Sequence, residues 1–257
     1  MIRPFALALL LIVPAALPAL AQTAAPAADA ALLPFPAPAA ARQISVTVDR
    51  GLIRTASLPV ALRQARRDML AGLAIADADL AALADRRDGR AAQDYVRRLV
   101  RSGTGSASDI AYYGSIAVAS GRVWTLPDAV RAMLTLDPAT EPRDRVATHI
   151  AMLYPHAWAG NTLALDALIA LNGKGRLFGP MSEKTRARIV ETGRRAGDGR
   201  VALQMALAAL RDPADPVAAR IWLTEAQGGN HLGVRTTAAA LLSRLDAGTS
   251  PAGLVTQ

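Results

Sequence analysis

From Ser57 onward, apolar residues recur at intervals of three and four, and Gly, Pro or Asp interrupts them at short intervals. That spacing places the apolar side chains on one face of an α-helix and then starts a new helix. Leu58, Leu62, Ala65, Met69 and Leu73 fit one such face. Asp77, Asp79, Leu80 and Leu83 mark a second helix, and Ala91, Tyr95, Val96, Leu99 and Val100 a third. After the break at Ser102–Ser106, Ser108 or Asp109 is expected to cap a helix over Ile110–Ser120, which Gly121 ends. Pro127 with Asp128 opens the next, to about Leu136. Further helices are predicted over Pro142–Leu153, Thr162–Leu171, Ser182–Arg195, Val201–Leu210, Pro216–Gln227 and Leu232–Leu245, about eleven in all. No alternation of strand and helix patterns is visible, which disfavours a parallel-sheet enzyme fold.

Composition sharpens this reading. About a fifth of the residues are Ala, the best intrinsic helix former, and only 4% are aromatic. Helices of this kind are thin and approach closely. The chain has no cysteine, which excludes a Cys nucleophile, a disulfide framework and Cys-bound metal clusters.

The first segment has a different character. Arg3 precedes an apolar run over Phe5–Ala19, and Ala19-Leu20-Ala21 forms a small-x-small site before Gln22. This is the layout of a secretory signal peptide cleaved after Ala21. The run of about 15 residues is shorter than the roughly 20 that a spanning helix needs. The mature chain is therefore expected to be periplasmic or secreted, and not an integral membrane protein. Residues 22–56 read as an Ala/Pro-rich linker and an extended lead-in. Pro26, Pro34, Pro36 and Pro38 oppose helix and sheet, and Ile44, Val46 and Val48 then alternate with polar residues as in a strand. With no partner strand nearby, this lead-in is expected to pack on the helical body. Residues 57–246 are the helical domain and 247–257 a tail.

The helix openings near Ser108, Pro142, Ser182 and Asp215 are separated by about 33 to 40 residues, the range of helical repeats. Within the last of these units, Ala219, Trp222 and Ala226 have the spacing A-x-x-W-x-x-x-A, followed by Gly228-Gly229. This stretch resembles the second helix of a Sel1-like repeat, with Gly229 one place early. Gly114, Gly121 and Ala129, ending at Asp137-Pro138, resemble a Sel1-like or tetratricopeptide-like helix pair more loosely, with Ala117 where an aromatic is expected. The resemblance covers about a quarter of the chain. It implies an all-α fold, a right-handed α-solenoid of stacked antiparallel helix pairs. Gly114, Gly121, Ala129, Ala219, Trp222 and Ala226 would then be repeat-packing residues, and Trp124, Trp158 and Trp222 read as core residues rather than ligand platforms.

Signs of chemistry are sparse. His149 and His156 share a face seven residues apart, but Pro155 is expected to interrupt their helix and no third metal ligand has a suitable spacing. They read as ordinary polar or partly buried histidines, and His231 as an exposed turn residue. Asn172-Gly173-Lys174-Gly175-Arg176 lacks the full phosphate-loop pattern. No G-x-S-x-G or H-E-x-x-H occurs. No catalytic residue, metal or cofactor is therefore assigned.

The arginines carry more information. Arg63, Arg66, Arg67, Arg86, Arg90, Arg97, Arg98 and Arg101, with Arg87, cluster in the first three helices, against six aspartates. The formal net charge is +8. A face of this kind attracts anionic partners, and Arg suits carboxylates and phosphates. The bland alternative is a solvated, salt-bridged surface. Nucleic acid is not expected in an exported protein. The resemblance implies an adaptor that binds a protein or peptide, and the basic face suggests an acidic one. The competing expectations are an exported helical enzyme acting on cell-wall glycan, or a solute-binding or chaperone-like helical domain.

Overall fold

A computed structural model describes residues 44–52, 55–211 and 215–247. The leader over 1–21, most of the linker and nearly all of the tail lie outside the described residues. The described residues are all-helical: α1 Val60–Leu70, α2 Asp77–Ala84, α3 Gly89–Ser102, α4 Ala107–Ala119, α5 Leu126–Met133, α6 Arg143–Trp158, α7 Thr162–Leu171, α8 Glu183–Ala196, α9 Arg200–Ala209, α10 Pro216–Gln227 and α11 Leu232–Asp246. No helix among them is long and apolar enough to cross a membrane.

Local chemistry sets most of these limits. The side chains of Asp88, Ser106, Asn161, Ser182, Asp215 and His231 accept hydrogen bonds from the first-turn amides of α3, α4, α7, α8, α10 and α11. The α4 cap is Ser106, bonded to the Asp109 amide at 3.0 Å, rather than Ser108 or Asp109. Two further expectations change. Leu58, Leu62, Ala65 and Met69 are buried, but Leu73 is exposed, because α1 ends at Leu70 and Gly72 turns the chain with φ +79°. Pro155 does not interrupt α6, which continues to Trp158. An interior proline costs about 3 kcal/mol in a helix. Here the turn that carries it buries His156 and Ala157 completely, and that packing offsets the loss.

The main helix–helix contacts run between elements one or two places apart in the chain. Examples of the second kind are α4 with α6, α5 with α7, α6 with α8 and α7 with α9. The largest core lies between α4 and α9 and includes Leu126, Met133, Met152, Leu165, Leu168 and Ile189. A second core joins α9 to α11, and the half-buried Trp222 packs against both. Ala129, Ala219 and Ala226 are completely buried. At Gly114 a Cβ would lie 2.7 Å from the Ala129 Cβ, so α4 and α5 approach as closely as a glycine permits. Gly121 serves a turn instead, with φ +92° just beyond α4.

The extended lead-in packs on this body as expected, and it crosses three alternate turns. Asn161, between α6 and α7, donates to Ile44 O at 3.1 Å. Ser45 Oγ donates to Gly121 O, and the Val48 and Asp49 amides donate to Ala119 O, between α4 and α5. The Leu52 amide donates to Arg87 O, between α2 and α3. The Val46 amide donates to Nε2 of the fully buried His156 at 3.3 Å, while His156 Nδ1 faces Met152 O at 2.9 Å. Burial holds the His156 pKa below its ordinary value, and both contacts suit the neutral ring. Val46→Pro keeps the extended backbone but removes this donor. It is expected to cost about 1–3 kcal/mol, the penalty of leaving a buried acceptor unpaired, measured by urea denaturation.

Candidate interaction face

The arginines of α1 to α3 divide into two sets. Arg66 and Arg98 join helices. Arg66 Nε meets the carboxylate of Asp88 at 2.6 Å, and Asp88 is itself buried as the cap of α3. Arg98 reaches back from α3 to Asp77 and to Ile75 O at 2.6 and 2.7 Å. The remainder have local partners or none. Arg63 donates to Ala56 O, Arg67 to Gln64 and Arg86 to Ala82 O. Arg90 and Arg97 share Asp94 on α3. Arg101, in the last turn of α3, makes no ion pair or hydrogen bond among the described residues. The face therefore contains both structural clamps and exposed cations.

One part of it borders a groove. α3 and α5 both pack on α4. Between them lies an open groove of about 320 Å³, lined by Gln93, Val96, Arg97, Val100 and Arg101 on one wall and Trp124, Thr125 and Asp128 on the other. Trp124 is 64% exposed and Val100 42%. Asp128 is neutralised by Arg131 at 3.2 Å. Trp124, read from the sequence as a core residue, is thus a surface residue. The rigid turn after Gly121 presents it outward, while its neighbours Val123 and Thr125 are buried.

Two buried polar clusters were not foreseen. His149 is fully buried on α6. Its Nδ1 lies 2.8 Å from Ser115 Oγ on α4, and that hydroxyl also lies 2.8 Å from Ala111 O. Among the described residues His149 Nε2 has no hydrogen-bond partner, and it sits 3.8 Å from Glu141 Oε1. Burial, and next the Arg145 guanidinium, lower the imidazole pKa to about 4. Ser108 Oγ donates to Glu141, and Arg145 donates to Ser108 and Asp109. Ser, His and Glu occur together here, but Ser115 and His149 are both wholly enclosed, so the cluster links α4 to α6. The second cluster is the buried Asp166–Arg200 ion pair, which joins α7 to α9. Burial pushes the Asp166 carboxyl up to about 6, and Arg200 opposes the rise. Helical periodicity signals that these positions face inward. It carries no information about which inward-facing polar residue meets which.

Among the described residues, no group of three or more His, Cys, Asp or Glu side chains could hold a metal ion. The chain matches no family model, no curated protein and no solved structure.

Proposed function

We propose that this chain is an exported, non-enzymatic protein-interaction scaffold, a right-handed α-solenoid of Sel1-like or tetratricopeptide-like helix pairs that binds an acidic protein partner through the arginines of α1 to α3. The observation that carries the reading is the stacking of helices on neighbours one or two places along the chain. Such order builds an extended surface and leaves faces open to partners. Cross-links of one repeat length agree with it. Ser108–Glu141, Ser115–His149 and Asp166–Arg200 are separated by 33, 34 and 34 residues. Export, to the periplasm or beyond, rests on the leader pattern over residues 1–21.

Affinity capture from envelope extract tests the scaffold. The mature chain is compared with a variant carrying Arg63→Gln, Arg67→Gln, Arg86→Gln, Arg90→Gln, Arg97→Gln and Arg101→Gln, which spares the clamps Arg66 and Arg98. The expected result is retention of the same acidic proteins by wild type at low salt and their depletion with the variant. Retention of nothing by wild type refutes the scaffold. Equal retention by both refutes the basic face.

A further inference from the structure

We infer that the groove between α3 and α5 is a docking site for an extended peptide segment of a protein partner with the pattern acidic–apolar–acidic; the inference rests on the scaffold reading and adds a specific site to it. Three features of the groove lead there. First, its cations are available. Arg101 is exposed and has no ion-pair or hydrogen-bond partner among the described residues, and Arg97 keeps half of its side chain exposed while bonded to Asp94. A cation in the last turn also suits the helix dipole, but the dipole gives no reason for an exposed indole beside it.

Second, exposed apolar surface lies in the groove with the cations. An indole carries about 150–250 Å² of buryable surface. Trp124 leaves most of its surface in water on the wall opposite the cations, and the exposed Val100 lines the cation wall. Trp and Arg together are the residues in which binding energy is most often concentrated. The one acid on the groove wall, Asp128, is paired with Arg131, so an incoming carboxylate meets Arg101 directly and competes with Asp94 only for Arg97.

Third, the dimensions agree. Residues one helical turn apart, such as Arg97 and Arg101, have Cβ atoms about 5–6 Å apart. In an extended peptide, alternate side chains point the same way and lie about 6.6 Å apart. Two carboxylates at positions i and i+2 therefore meet Arg97 and Arg101. The residue between them points to the opposite wall, where Trp124 stands. A space of about 320 Å³ accommodates one bulky side chain and its neighbours, at the small end of ligand sites. The charge complementarity selects a peptide rather than a neutral solute.

The test uses the mature chain and a labelled nine-residue peptide centred on Glu-Phe-Glu, with Gln-Phe-Gln and Lys-Phe-Lys versions, followed by fluorescence anisotropy. The Glu peptide is expected to bind, more weakly as salt rises, and the other two to bind at least about tenfold more weakly. Arg101→Gln and Trp124→Ala are each expected to weaken the Glu peptide by about five- to tenfold or more. Both sites are exposed, and unchanged circular dichroism confirms that the variants fold. Arg63→Gln, away from the groove, should bind as wild type does. Equal binding of the Gln peptide, or unaltered binding by both groove variants, overturns the inference. So does binding to vesicles of anionic lipid but not to the Glu peptide. If wild type still captures envelope proteins while the Glu peptide fails to bind, the groove inference falls and the scaffold stands. If wild type captures nothing, the scaffold falls first.

Discussion

Replacing Arg200 by Met should destabilise the protein by about 3–5 kcal/mol, the cost of leaving a buried charge without its partner. Asp166 and Arg200 are 1% and 4% exposed. Arg200 also bonds Asp166 through Nε at 3.1 Å, and its amide donates to Asp198 at 3.0 Å. Without the guanidinium, nothing opposes the burial that raises the Asp166 carboxyl. The residue must then take up a proton or admit water. Both routes weaken the contact of α7 with α9, where the large central core continues. The double variant Asp166→Leu with Arg200→Met removes both charges. It should recover most of the loss, because a buried ion pair is often no better than well-packed apolar residues. Denaturant unfolding of the three proteins checks this. A single-variant cost below about 1 kcal/mol, typical of an exposed pair, would mean that the pair is not the link described. A double variant as unstable as the single would mean the same.

The second large effect is with pH. His149 has a folded-state pKa of about 4, below the ordinary value of about 6.5 for histidine. Its contribution is therefore complete above about pH 6.5. As the pH falls, the unfolded chain takes up a proton that the folded chain refuses, and stability is lost until the pH nears 4. The loss over that range is about 3 kcal/mol. His156 adds in the same direction, since burial lowers its pKa as well. Asp166 acts the other way from about pH 6 downward, because its raised pKa lets the folded state hold a proton first. A comparison with His149→Asn removes the shared contributions. The amide keeps a donor for Ser115 and loses the titration. Between pH 7 and 4.5 the stability of wild type should fall by about 2–3 kcal/mol more than that of the variant. Parallel pH profiles would exclude His149 as the source of acid sensitivity.

The helices were legible because their causes are local. The α7 and α10 limits, and the cap of α8 at Ser182, follow from residues within one or two turns. So does the burial of Ala219 and Ala226, which periodicity places on one face. Leu73 and Pro155 depart from the apolar spacing for different reasons. Leu73 continues the apolar period after α1 has ended at Leu70 and Gly72 has turned the chain. Pro155 is held in α6 by the packing of the turn around it. The same limit governed the candidate site. Eight arginines could be named from charge alone, but their sequence did not separate the clamp Arg66 from the unpaired Arg101. Trp124 reads as core because large aromatics fill the gaps between closely packed Ala-rich helices, and a 3₁₀ turn presents it outward instead.

By itself, the sequence determined the kind and order of the elements: an all-helical body and most of its helix ends. Those depend on side-chain spacing and on backbone groups a few residues apart. Only the tertiary structure decided that Asp166 meets Arg200, that His156 receives the Val46 amide across 110 residues, and that Arg97, Arg101 and Trp124 border one groove. These depend on how each helix is rotated and stacked on its neighbours. That stacking is set by the fit of many small side chains together, such as Gly114 against Ala129, and no local stretch of sequence contains it.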